Sequence, residues 1–194
     1  VYGGARNGLM GRLANACLAE GGEVIGVMPE HLVQREVSHH GLTRLIRVDN
    51  MHERKAAMAA HADAFIALPG GIGTLEELFE IWTWRYLDLH DKPIGVLNVA
   101  DFYSPLLTFL DTTVEHGFLD VATRRTLFAE ADIETLLDRL GRRCQTEKSR
   151  RLNDAVRAPV TYPSRRIGNA CHRHRRQSDD LARTRRPRPA GCQR

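Results

Sequence analysis

Two short stretches gather residue types that can do chemistry. "LPGGIGTLEE", residues 68–77, sets Gly70, Gly71, Gly73 and Thr74 between an apolar run and the carboxylates of Glu76 and Glu77. Residues 64–68 read as a buried strand, and 75–86 carry apolar residues at helical spacing, so the glycines occupy a strand-to-helix turn. A turn of that kind aims several backbone N–H groups at one spot, beside the positive end of a helix dipole, and favours an anion such as a phosphate. Glycine lets the ligand approach where a Cβ would block it. Two known phosphate loops do not fit the letters. No lysine follows the glycines as a P-loop requires, and Glu76 stands where a dinucleotide fingerprint needs its third glycine. The plainer alternative is a capping box between Thr74 and Glu77, three residues apart at a helix start. That alternative leaves Glu76 and the entropic cost of the glycines without a reason.

The second stretch is "MHERKAAM", residues 51–58, with Arg54 and Lys55 side by side. Adjacent helical residues point about 100° apart, so one can face a site while the other faces elsewhere. A solvated face is the plain reading of such a pair. Against it, Met51, Lys55 and Met58 share a face, and a charge inside an apolar stripe needs a partner. A phosphate-binding turn, an arginine and carboxylates together suit cleavage of a glycosidic bond in a nucleotide. Carboxylates can stabilise an oxocarbenium-like sugar or activate water, while basic groups hold the phosphate.

The elements that must position these residues follow in order along the chain. Residues 9–19 read as a helix ended by Gly21 and Gly22, 23–28 as a strand stopped by Pro29, and 45–48 as a second strand. Asp49 or Asn50 then caps a helix over 51–60. Strand 65–68, the glutamate-bearing helix, strand 94–98, helix 102–115 and a last helix 133–140 complete the body. Continuous apolar strands alternating with helices define an α/β fold, a doubly wound, Rossmann-like parallel sheet with helices on both faces. In such sheets the ligand site lies beyond the carboxyl ends of the strands. "VYGGARNG" and "LPGGIGT" both follow strands directly and would open on that same edge. The chain starts on "VYGG", which reads as the end of a strand, so an N-terminally incomplete domain is expected.

With 194 residues, one domain with a sizeable core is expected. The net charge of +4 conceals a division: residues 1–141 hold 12 basic and 20 acidic side chains, and 142–194 hold 16 and 4. Residues 1–141 are therefore expected to form the folded body, with a net charge of −8. Residues 142–194, with no Phe, Trp or Met and four of the eight prolines, read as a basic, disordered tail. An arginine-rich arm for nucleic acid is the alternative, but the tail lacks interleaved aromatics and helical periodicity. Cys17, Cys144, Cys171 and Cys192 show neither a disulfide framework nor zinc-like spacing. The histidines, among them His39, His40, His52, His61 and His90, offer no metal-ligand pattern. No signal peptide or membrane-spanning run is evident, which points to the cytoplasm.

"PGGIGTLEE", "MHERKAAM" and "YGGARNGLMG" together resemble the LONELY GUY (LOG) family, the cytokinin riboside 5′-monophosphate phosphoribohydrolases, whose members often carry the label lysine decarboxylase. The resemblance covers residues 1–140 in the family's order and spacing, and the Pro-Gly-Gly-x-Gly-Thr-x-x-Glu signature is complete from Pro69 to Glu77. It implies that Arg54 and Glu77 are catalytic and that Lys55 is a substrate contact. Gly70, Gly71, Gly73, Thr74 and Glu76 would hold phosphate and ribose, with Thr83 and Glu36 as further binding residues. The implied reaction is hydrolysis of an N6-substituted AMP, or of AMP, to free base and ribose 5-phosphate, without metal or other cofactor and by a homodimer. Trp82 and Trp84 are candidates for the subunit contact, with core burial as the commoner fate of tryptophan.

Two departures from the family qualify this. Its members carry a further strand, a glycine-serine turn and a helix ahead of "VYGG", so weakened binding and an exposed sheet edge are expected. The tail matches nothing in the family. Lysine decarboxylation is not supported, because Lys55, Lys92 and Lys148 are the only lysines and none sits in a Schiff-base context. A second class of reading is a nucleotide-binding protein that does not turn over.

Overall fold

The computed structural model describes residues 1–34 and 38–157. Helix α1 (Gly8–Ala19) leads into strand β1 (Ile25–Pro29), the single turn α2 (Glu30–Val33) and β2 (Arg44–Val48). Helix α3 (Met51–His61), β3 (Phe65–Ala67), α4 (Ile72–Tyr86) and β4 (Ile94–Leu97) follow. A 3₁₀ turn, α5 (Ser104–Glu115), α6 (Val121–Arg124), β5 (Leu127–Glu130) and α7 (Ile133–Arg157) close the described chain.

All strands pair in parallel, in two groups. β1 pairs with β2, and β3, β4 and β5 form a three-stranded sheet with β4 at its centre. Tyr2 adds a single parallel bridge to Gly26, so "VYGG" meets β1 at one residue and forms no strand of its own among the described residues. Helices alternate with these strands as a doubly wound, Rossmann-like arrangement requires.

The core lies where α3, α4 and α5 cover the second sheet: Ile81, Trp82, Ile94, Val96, Leu110 and Leu127 are buried there. Trp82 belongs to this core rather than to an outer face, and its indole N–H donates to Thr126 Oγ1 at 2.9 Å. Trp84 packs against the same cluster. The short apolar run of β3 is not wholly buried, because Ile66 is exposed. Among the described residues β3 pairs only with β4, and a cavity of about 160 Å³ lies against it, lined by Val1, Met58, Ala62, Ile66 and, from β4, Ile94.

Three elements differ from expectation. α4 starts at Ile72, three residues before the apolar periodicity, since glycine and threonine carry no pattern. β5 pairs with β4 although its four residues "LFAE" were too few to read as a strand. The last helix does not stop near Leu140 but runs to Arg157, through the first part of the basic segment. The remainder of that segment, 158–194, lies outside the described residues.

Candidate active site

The start of α3 sets the site. Asn50 Oδ1 accepts the Glu53 N–H at 2.9 Å, and the Glu53 carboxylate accepts the Asp49 N–H at 3.0 Å. A reciprocal cap of this sort satisfies donors that a helix start leaves open. It fixes the helix one turn ahead of Arg54 and Lys55.

Those two adjacent cations diverge, as helical geometry demands. The Arg54 guanidinium lies against the first glycine turn: its Nε donates to the Val27 carbonyl at 3.2 Å, and a Cβ on Gly3 would stand 1.8 Å from its Nη2. Its Nη1 is 3.5 Å from Glu77 Oε1. Lys55 turns the other way, with Nζ 2.6 Å from Glu76 Oε1 and 2.7 Å from Glu80 Oε2. The charge in the apolar stripe of α3 thus has its partners on α4. Two neighbouring cations of one helix meet neighbouring acids of the next, which locks the relative rotation of α3 and α4.

The helix start at the glycines works differently from a capping box. Gly71 is the N-cap residue, and no side chain caps α4. Thr74 sits inside the first turn, its hydroxyl so close to Gly70 that a Cβ there would be 2.2 Å from Oγ1. Glu77 is committed to Arg54 instead of to its own helix end. The first N–H groups of α4 therefore lack side-chain partners, and the space over Gly71 and Gly73 is open, with nothing within 4 Å of where a Cβ would stand. This is what an anion needs.

Burial and charge act in opposite ways on Glu77 and Lys55. Burial pushes the Glu77 carboxyl above the ordinary glutamate range; Arg54 and Lys55 oppose this while Glu76 and Glu80 reinforce it. Hydrogen bonding to Glu76 and then to Glu80 holds the Lys55 ammonium above the usual lysine value, against the effect of burial. Lys55, Thr74 and Glu77 also line the cavity beside β3.

The structure thus brings Arg54, Lys55, Gly70, Gly71, Gly73, Thr74, Glu76 and Glu77 together. Thr83 lies on the Glu76 face of α4, about 10 Å further along the axis. Its hydroxyl donates to the Phe79 carbonyl at 2.7 Å, and it joins none of these ion pairs. Glu36 lies outside the described residues. Sequence reasoning missed three participants. Glu80 could have been found, since it stands one turn after Glu76 on the face that meets Lys55. Gly3 was read as part of a ligand turn, whereas it seats Arg54. Tyr103 had no local signal; it is buried, and its hydroxyl donates to the Leu68 carbonyl at 2.7 Å, pinning the end of the strand that leads into the glycines. Among the described residues no group of three His, Cys, Asp or Glu side chains could hold a metal ion.

Fold and site together define a Rossmann-like α/β protein with an anion-receiving helix start beside an Arg-Glu pair. The family model described as "Possible lysine decarboxylase" matches residues 10–140. A cytokinin riboside 5′-monophosphate phosphoribohydrolase from Rhodococcoides fascians is 54% identical over 135 residues, covering 69% of this chain and 68% of that protein. One of the same name from Arabidopsis thaliana is 47% identical over 140 residues, covering 72% of this chain and 66% of the relative. The chain therefore belongs to the LONELY GUY family, and it spans about two thirds of the length of these relatives.

Proposed function

We propose that this chain hydrolyses the N-glycosidic bond of a cytokinin riboside 5′-monophosphate, or of AMP, to release the free base and ribose 5-phosphate. The Arg54–Glu77 pair beside the uncapped start of α4 is the observation that carries this reading. The names of the relatives supply the substrate class.

In this mechanism the 5′-phosphate sits on the N–H groups at the start of α4, over Gly71 and Gly73, with the helix dipole behind it. Glu76 and Lys55 lie where the ribose would extend. Glu77, ionised, stabilises the positive charge that develops on the sugar as the bond to the base lengthens, and directs a water to C1′. The proton released by that water balances the charge on the departing base. Arg54 holds the Glu77 carboxylate in place, and its seat on Gly3 and Val27 keeps the guanidinium from following solvent. As a glycosidase of this N-glycosyl type, the chain would act on a soluble nucleotide in the cytoplasm and assemble as a homodimer.

Glu77→Gln tests the reading. The variant is expected to fold and to bind nucleotide while losing hydrolysis by at least two to three orders of magnitude, in keeping with removal of one electrostatic stabiliser. Wild-type turnover in a folded Glu77→Gln protein would falsify the assignment. Nucleotide binding without product in the wild-type chain would instead favour the binding protein without turnover.

A further inference from the structure

Lys55 is held by more negative charge than its own neutralisation requires. Its side chain is 9% exposed and meets two carboxylates, Glu76 and Glu80, one helical turn apart on α4. A buried ammonium must keep a partner, because a charge left uncompensated out of water is strongly destabilising. Two partners make one of them dispensable, and their surroundings differ. The Glu76 side chain is 53% exposed, which leaves it room to swing away from the ammonium. The Glu80 side chain is 23% exposed, and its Oε2 is itself out of solvent with the ammonium 2.7 Å away.

We propose that Glu80 is a positioning residue: it is the standing counter-ion of Lys55, and it frees Glu76 to leave the ammonium and take a hydroxyl of the bound nucleotide. The inference rests on the nucleotide reading above and adds an exchange to it. In the empty site Lys55 bridges both acids. On binding, Glu76 rotates to the sugar while Lys55 stays neutralised by Glu80. The same arrangement bears on Glu77, which is faced by Arg54 and Lys55 from α3 and by Glu76 and Glu80 from its own helix. Removing the Glu80 charge takes away one of the influences that raise the Glu77 proton affinity. The acid limb of the pH profile should therefore move to lower pH.

The test is AMP binding by calorimetry in the Glu77→Gln background, where AMP is bound and not consumed, with Glu76 and Glu80 intact, with Glu80→Gln, with Glu76→Gln and with both. With Glu80 neutral, Glu76 becomes the only counter-ion and stays on Lys55, so Glu80→Gln should weaken AMP binding about tenfold, the scale of one hydrogen bond to an ionised group. Binding of inorganic phosphate, which does not reach Glu76, should be unchanged. The double variant leaves Lys55 without either counter-ion, so its folding is checked by a thermal melt; where it folds, the Glu80 substitution should cost AMP binding nothing further in the Glu76→Gln background, a coupling that a merely structural role would not produce. Equal losses in both backgrounds, or AMP binding by Glu80→Gln at undiminished strength, would overturn the proposal. If Glu80→Gln does not fold, carboxylate ¹³C shifts in the intact chain decide: AMP should move the Glu76 signal and leave the Glu80 signal in place, and the reverse would sink it. Absence of turnover in the wild-type chain with these binding results intact would count against the hydrolase reading alone.

Discussion

Glu77 shows how a side chain placed for the proposed reaction can count against the fold. Its folded pKa lies above the ordinary glutamate value because burial disfavours the carboxylate. The folded state therefore binds this proton more tightly than the unfolded chain does. Stability is greatest below the unfolded pKa, falls as pH rises through the window up to the folded pKa, and carries the full penalty above it. Glu77→Gln should accordingly melt higher than wild type at pH 7, by no more than a few degrees for a chain of this size. The difference should vanish by about pH 3, more than a unit below the free glutamate pKa of about 4.3, where both states of the wild type are protonated. Calorimetric melts across that range check the sign. Wild-type activity should fall on the acid side with a pKa above that of a free glutamate.

Gly3 makes the complementary case. Its backbone has no positive φ, and the atom a new Cβ would meet at 1.8 Å is the far end of the flexible Arg54 side chain. Gly3→Ala should thus cost little stability. It should cost activity, because a guanidinium displaced by about 1 Å can lower a rate on the order of a hundredfold. A thermal melt beside a kcat measurement separates the two effects.

Among the elements, the strand-turn-helix at β3 and α4 was readable because an apolar run, three glycines and helical periodicity each have a local cause. So was the cap of α3, where Asn50 performs the role its residue type suggested. What escaped was set by distant parts of the chain. Leu127 to Glu130 become a strand because β4 offers a pairing edge, not through their own pattern. α7 continues past Leu140 where composition argued for disorder. Arg143, which read as tail charge, lies over the Phe128 ring at 4.9 Å beside Arg139 of the body at 4.3 Å, and Glu147 of the same basic segment pairs with Arg85 at 2.8 Å. Long cationic stems can cover apolar surface, so their charge alone did not reveal the packing. Tyr103 is the clearest distant support of the site. Tyr103→Phe removes its hydrogen bond to the Leu68 carbonyl and should lower the melting temperature by about 2–4 °C, roughly 1 kcal/mol. KM should rise as the glycine turn loosens, and a steady-state titration with AMP would register it.

At the scale of the whole molecule, charge and fold divide the work. The acidic body carries every residue of the candidate site among the described residues, and it does so where two groups of parallel strands bring their glycine turns together. The first turn seats the arginine and the second leaves an open helix start. Neither role follows from glycine content alone; both depend on which side chain the other helix delivers. Family membership and fold were legible from three motifs. The pairing of Arg54 with Glu77, and of Lys55 with two acids, required the helices to be seen side by side.

The most direct measurement is product analysis: incubate the purified chain with isopentenyladenosine 5′-monophosphate and with AMP, and separate the mixture by chromatography. Free base and ribose 5-phosphate appearing in equal amounts, and absent with Glu77→Gln, is the predicted result. A folded wild-type chain that binds either nucleotide and leaves both intact would contradict the proposed hydrolysis.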